Sequence, residues 1–196
     1  MGKLLFQGHG SIRIITDNEV VIYIDPYGGE GYDLPADIIL VTHQHGDHNQ
    51  IQKPLRKDTC VIIQNQDAVQ DGSYKNFDIH GVHIQAVSAY NSNHDRKQSV
   101  GYILSFDGLK IYAAGDTSTT EEMKAYSALG IDYALLPIDG IYNMGPIEAA
   151  ACAELIGAKQ AIPIHMTPKA LFDEQKAEQF TAKNKLIVRA GEEIVL

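Results

Sequence analysis

Three histidines and a carboxylate fall within six residues in the stretch Thr42-His43-Gln44-His45-Gly46-Asp47-His48. Imidazole nitrogens and carboxylate oxygens are the donors that zinc, manganese and iron take. His43 and His45 are two apart, so at the end of an extended strand both side chains point to one side. Asp47 and His48 follow Gly46, where the chain can turn and bring two more donors back to the same point. The whole chain holds 8 histidines in 196 residues, so three in six is not scatter.

Such a cluster needs a rigid mount. The preceding Ile38-Ile39-Leu40-Val41 is four apolar residues, three of them β-branched, and reads as a strand buried on both faces. Two more metal-type residues follow buried runs in the same way. Asp116 comes after Ile111-Tyr112-Ala113-Ala114-Gly115, and His165 after Ala161-Ile162-Pro163-Ile164. His94 lies in a polar loop after an alternating strand over residues 82–88. His83, on the polar face of that strand with Gln85, and His80 beside Gly81 are expected to face solvent. Strands are further expected at residues 3–7, 11–16, 20–24, 60–63, 101–106, 109–113, 133–136 and 160–164, with short strands over 186–195. Helices are expected at 49–56, at 119–128 behind a Thr119 or Thr120 cap, at 146–156 with Pro at its start and Gly157 after its end, and at 172–182. A block of strands, then strands alternating with helices, implies two packed sheets with helices outside.

The H-x-H-x-D-H motif at the end of a buried strand resembles the metallo-β-lactamase superfamily. The resemblance implies a four-layer αββα sandwich over residues 1–196, a single domain. It implies one metal held by His43, His45 and His94, a second by Asp47, His48 and His165, and Asp116 bridging the two. Two divalent ions, zinc foremost and manganese or iron as alternatives, would then make the chain a metal-dependent hydrolase. A hydroxide bridging the ions would attack an ester, lactone, amide or phosphoester, with Asp47 and Asp116 the carboxylates nearest the chemistry. Gly8-His9-Gly10-Ser11, Ile24-Asp25-Pro26, Ala89-Tyr90-Asn91, Gly115-Asp116-Thr117, Pro137-Ile138, Met144-Gly145-Pro146 and Ile164-His165 resemble, in that order, one branch of the superfamily. That branch includes small bacterial metal-dependent hydrolases, ascorbate-phosphate lactonases and N-acylphosphatidylethanolamine phospholipase D. It usually has glycine where this chain has Asp139, and a carboxylate there is expected to reshape the pocket or repel an anion. His9 and Asp25 are expected behind the metal ligands, where imidazole ligands find hydrogen-bond acceptors. Tyr27, Tyr142 and Met144 are expected to shape the substrate pocket. Arg96 and Lys97 read as a solvated basic pair.

The formal charge of −9 argues against an electrostatic grip on nucleic acid. No apolar run is long enough to span a membrane, and the N-terminus lacks a signal-peptide layout. A cytoplasmic enzyme acting on a small molecule is the expectation, with a homo-oligomer left open. Cys60 and Cys152 are the only cysteines and read as small core residues. Two alternatives remain at this level. One is an iron-dependent redox enzyme of the same fold, of the persulfide dioxygenase type; its flavodiiron version is disfavoured because position 44 is Gln. The other is a non-catalytic metal-binding protein.

Overall fold

The computed structural model describes all 196 residues. Its first sheet is assembled from β1 (Lys3–Gly8), β2 (Ser11–Ile15), β3 (Val21–Ile24), β4 (Ala36–Leu40) and β5 (Arg56–Ile63). The helix α1 (Asn65–Ala68) and the two-residue strands β6 (Val69–Gln70) and β7 (Ser73–Tyr74) lead into the second sheet. That sheet contains β8 (Asn76–Ile79), β9 (Val82–Ser88), β10 (Val100–Phe106), β11 (Leu109–Ala113), β12 (Tyr133–Pro137) and β13 (Gln160–Ile164). The helices α2 (Pro146–Ile156) and α3 (Glu174–Glu178) flank β13, and β14 (Glu192–Val195) returns to the first sheet. The strand orders are β14-β1-β2-β3-β4-β5 and β13-β12-β11-β10-β9-β8. In each sheet an antiparallel part gives way to three parallel strands, β3-β4-β5 and β11-β12-β13. This is the expected αββα-like arrangement.

The inner faces meet in one core of 45 buried residues, from Leu4 and Phe6 to Ile162 and Val188. Two contacts tie the sheets together directly beneath the motif. The Tyr102 hydroxyl donates to the Val41 carbonyl at 3.0 Å, and Val100 N–H donates to the Thr42 carbonyl at 3.0 Å. The parallel strands thus end side by side on one rim, where open α/β sheets place their ligands.

Several expected elements differ, each for a local reason. Of the residues expected to form a helix over 49–56, 49–55 form turns and coil and Arg56 opens β5, because their donors go elsewhere: Gln50 N–H bonds the Pro26 carbonyl and Leu55 N–H the Tyr32 carbonyl. The outer face of the first sheet is therefore covered by loop residues Tyr32, Leu34 and Ile51. The segment Glu121–Leu129, capped by Thr120, is a 3₁₀ helix. Its core-facing residues are Met123, Tyr126 and Leu129, and a spacing of three is what three residues per turn aligns on one face. The last helix is only Glu174–Glu178. It ends in i→i+3 bonds at Gln179 and Phe180, which lets Phe180 drop fully into the core. Cys152 is buried, but Cys60 is only half-buried, because β5 is an edge strand. Gly29 is required where it stands. Its φ is +71°, and a Cβ there would fall 1.7 Å from the Gln7 carbonyl oxygen. No helix is long and apolar enough to cross a membrane.

Candidate metal centre

The sequence residues converge at the strand ends. His43, His45, Asp47 and His48 follow β4, His94 follows β9, Asp116 follows β11 and His165 follows β13. Asp116 is the hub. His94 Nε2 lies 3.3 Å from its Oδ2, His165 Nε2 3.5 Å and His43 Nε2 3.9 Å, while His48 Nε2 lies 3.4 Å from its Oδ1. The approach is close because Gly115, at φ +65°, carries no Cβ; one would sit 3.0 Å from Thr42 Cβ. Three donor groups come within 4.8 Å mutual reach: His43 with His45 and His94; His43 with His48 and Asp116; and His9 with Asp47, His48 and His165.

Hydrogen bonds at Nδ1 assign the tautomers of His43, His48 and His94, and each of these sends the Nε2 lone pair inward. Thr42 Oγ1 donates its single proton to Asp25 Oδ2 at 2.6 Å, so toward His43 it can only accept, and His43 Nδ1 carries the proton at 3.0 Å. His48 Nδ1 donates to Asp25 Oδ2 at 2.8 Å. His94 Nδ1 donates to Asn91 Oδ1 at 3.0 Å. His165 Nδ1 lies 2.9 Å from Asp139 Oδ2, with the carboxylate off the line of the N–H, so this contact is an ion pair rather than a straight hydrogen bond. His9 Nδ1 meets the Ala170 carbonyl at 3.1 Å, leaving its Nε2 3.3 Å from Asp47 Oδ2. The buried Nε2 atoms of His48, His94 and His165 have no hydrogen-bond partner. Buried lone pairs and carboxylate oxygens that face each other favour a cation between them, and this donor set of imidazoles and carboxylates fits divalent metal.

The electrostatics of the metal-free chain show the same demand. Burial and the neighbouring His48 push His43 down to about 2. Burial opposes a proton on His48 as well, but the Asp116 and Asp25 carboxylates overcome it and raise its pKa to about 9. His165 is raised too, its burial outweighed by Asp116 and Asp139. Asp116 is lowered: burial works against its charge, and the surrounding imidazoles outweigh it. Asp47 is lowered chiefly by its contact with His9. Protons on His48 and His165 therefore stand in for metal charge.

Asp25 and Asp139 play matching parts. Asp25 accepts from His48, from Thr42 N–H at 2.7 Å and from the Thr42 hydroxyl, and the Ser11 hydroxyl fixes its carbonyl at 2.7 Å. Asp139 accepts from the N–H groups of Ile141, Tyr142 and Asn143 as well as from Asn143 Nδ2. Its carboxylate therefore faces His165 and a backbone nest rather than lining the cleft, and it bears on the pocket through the Tyr142 backbone it holds. Asp25→Asn should weaken metal binding about 10–100-fold, the usual cost of losing such a partner, with metal affinity by competitive chelation as the measurement. Unchanged affinity would show that Asp25 serves the fold alone.

A cleft of about 270 Å³ opens over the cluster, lined by His45, Asp47, Asn93, His94, Asp116, Tyr142, His165, Pro168 and Lys169. Tyr142 lines it as expected. Met144 does not, being fully buried in the core. Tyr27 is not a wall residue either; its ring packs edge-on against His9 at 5.5 Å. His83 lies outside the site, bonded to Asp78, and His80 meets the Thr59 carbonyl. Arg96 points away, paired with Glu122 over the Tyr90 ring. Sequence reasoning missed Asn91, Thr42, Asn93, Pro168 and Lys169. Only the Ala89-Tyr90-Asn91 segment carried a signal for any of them.

Residues 3–165 match the family model described as the beta-lactamase superfamily domain. A UPF0173 metal-dependent hydrolase of Thermococcus onnurineus is 34% identical over 191 residues, covering 84% of each chain. Its counterpart from Thermococcus kodakarensis is 32% identical over the whole of both. Among solved structures, a candidate metal-dependent hydrolase from Parabacteroides distasonis is 30% identical, superimposes with a TM-score of 0.75 and covers 95% of this chain and 92% of its own. A candidate Zn-dependent hydrolase of the metallo-beta-lactamase superfamily from Thermotoga maritima shares the fold with a TM-score of 0.69 at 21% identity, covering 96% of this chain and 98% of its own. With the histidine–aspartate cluster in place at the strand ends, the chain belongs to the UPF0173 metal-dependent hydrolase family of the metallo-β-lactamase superfamily.

Proposed function

We propose that this protein holds two divalent ions, zinc foremost, and hydrolyses an ester, lactone, amide or phosphoester bond in a small molecule. The observation that carries this reading is the ring of four imidazole Nε2 atoms, 3.3–3.9 Å from the oxygens of one buried carboxylate. His43, His45 and His94 would hold one ion, and Asp47, His48 and His165 the other. Asp116 is suited to serve both, since its two oxygens face different histidines. His9 Nε2 stands within reach of the second position as an additional donor. Divalent ions bound there supply Lewis-acid activation of a water nucleophile and of the carbonyl or phosphoryl oxygen that gains charge. The chain's own residues fix the donors: Asp25, Asn91 and Asp139 lock ring orientations, and Tyr102 and Val100 hold the motif strand to the second sheet.

No cysteine lines the cleft, and the one serine of the adjoining hollow, Ser99, is buried, which favours water over a side-chain nucleophile. Gln44 bonds Gln64, Asn65 and Gln66 and adds no carboxylate to the site, which disfavours the flavodiiron version of the redox alternative; metal stoichiometry separates the persulfide dioxygenase type. The ordered short motifs, Gly8-His9-Gly10-Ser11 among them, are the support for a kinship with ascorbate-phosphate lactonases and N-acylphosphatidylethanolamine phospholipase D. A small-molecule substrate agrees with the size of the cleft, which is at the low end for ligand pockets.

The test is elemental analysis of protein purified without added metal and then saturated, joined to a screen of nitrophenyl esters, lactones and phosphodiesters. Two equivalents of metal per chain and metal-dependent turnover are expected. A ceiling of one equivalent under excess metal would overturn the binuclear reading. A trapped covalent acyl- or phosphoryl-enzyme would overturn the direct attack of water.

A further inference from the structure

Resting on the hydrolase reading, we infer that Lys169 binds an anionic group, a carboxylate or a phosphate, carried by the substrate beside the bond that is cleaved. Lys169 is the only cation lining the cleft over the cluster. It is exposed, and no carboxylate lies within ion-pair distance of its ammonium. Of the two basic residues just past His94, Arg96 is already paired with Glu122, and neither it nor Lys97 lines the cleft. The remaining charged groups of the cleft wall, Asp47 and Asp116, are committed to the metal positions. With two divalent ions in place they no longer make the cleft negative, and an anion there meets a positive field.

The backbone at Lys169 is built, not loose. Its φ is +65°, in the left-handed region that L-residues rarely adopt. Eight non-glycine residues share that region; Glu19, Asp71, His80 and Asp107 sit in turns between strands, whereas His9, Asp25, His165 and Lys169 gather at the site. Glycine would occupy the position without strain, and here the region carries a lysine whose side chain lines the cleft. The loop that carries it is clamped at four points. Leu171 accepts from His9 N–H at 2.7 Å, and Ala170 accepts from His9 Nδ1 at 3.1 Å. Ala170 N–H bonds the Thr167 carbonyl at 3.1 Å, and the Thr167 hydroxyl donates to Asp173 at 2.6 Å. The same His9 that faces Asp47 therefore also sets where Lys169 stands relative to the metal positions.

The cleft also offers Tyr142. Its backbone is pinned, the N–H to Asp139 and the carbonyl to Asn91 Nδ2, both within 2.8 Å. Its hydroxyl donates to no protein group, and the side chain is about half exposed. An ammonium and a free phenol on one small cleft recognise a compact anion better than a neutral ester.

The experiment measures binding and hydrolysis separately on the metal-loaded protein. Binding of methyl phosphate, butyrate and neutral butyramide is followed by calorimetry for wild type, Lys169→Met and Lys169→Glu; the position is exposed, so folding is not at risk, and a thermal melt verifies it. Loss of one charged hydrogen bond should weaken anion binding about 10-fold in Lys169→Met and further in Lys169→Glu, with butyramide unmoved. A response confined to methyl phosphate or to butyrate supports the inference and identifies the group. Equal anion affinity in wild type and Lys169→Glu overturns it. In hydrolysis, the ratio of kcat/KM for nitrophenyl hemiglutarate over nitrophenyl butyrate should fall about 10-fold in Lys169→Met. Hydrolysis with an unchanged ratio overturns the role of Lys169 and leaves the hydrolase reading standing. Anion binding that depends on Lys169, without hydrolysis of any ester or phosphoester, supports the subsite and overturns the hydrolase reading instead.

Discussion

Asp116→Ala should strip both metal positions and stop turnover. No other side chain lies so close to so many donors: four imidazoles from three segments lie 3.3–3.9 Å from its two oxygens. Removing the carboxylate leaves those lone pairs facing one another, with no negative charge to hold either ion and a cavity where Gly115 had let the chain approach. Losing several kcal/mol of charge stabilisation, at about 1.4 kcal/mol per tenfold, corresponds to a fall in kcat of about a thousandfold or more. Metal content should drop from two equivalents to one or fewer, and elemental analysis beside kcat checks both. Cys152→Ala serves as a control, because that thiol lies buried against Met123 and far from any role in water attack. If Asp116→Ala kept two equivalents of metal, the bridging assignment would be wrong even if activity were lost.

The legibility of this site followed how local each signal was. His43, His45, Asp47 and His48 could be read because their spacing is itself the geometry: two residues apart on a strand end, then a glycine. Asp116 and His165 could be read because each closes a buried run, and such runs end on one rim once the strands are parallel. The role of Asp139 could not be read. It depends on β12 and β13 lying in parallel register, with Pro137 opposite Ile164, which places Asp139 beside His165. Tyr142 and Met144 looked equivalent as loop residues near a glycine, yet Met144 is tied by its backbone to Thr117 and Gly140 and buried, while Tyr142 is left about half exposed. The helix expected over 49–56 failed for a similar non-local reason, since the Pro26 and Tyr32 carbonyls capture its donors. Lys169 gave no pattern at all, because what distinguishes it is a backbone angle and a clamp from His9, 160 positions earlier in the chain.

Metal uptake should release protons, and the effect should grow in a defined pH window. In the metal-free chain His48 has a pKa of about 9 and His165 is also raised, whereas His43 lies at about 2 and is neutral at any working pH. At pH 7 an incoming ion therefore displaces the His48 proton, while His43 contributes none. Calorimetry in buffers of different ionisation enthalpy should show about one proton or more released per chain at pH 7, in addition to any from bound water. Apparent affinity should rise by about tenfold per pH unit per proton released until pH 9, then level off. Stability follows with the opposite sign in the metal-free protein. A histidine whose folded pKa exceeds its unfolded value of about 6.5 contributes stability below that value, and loses it as pH rises through the folded pKa. The metal-free chain should thus melt lower at pH 9 than at pH 7, and the gain on adding metal should widen over the same range. At metal concentrations near 1,000 times Kd the gain is about 4 kcal/mol, or roughly 8–16 °C for a chain of this size. A gain that narrows between pH 7 and pH 9, or metal binding that is indifferent to buffer identity, would mean that no proton occupies the cluster and that its four facing lone pairs are reconciled in some other way.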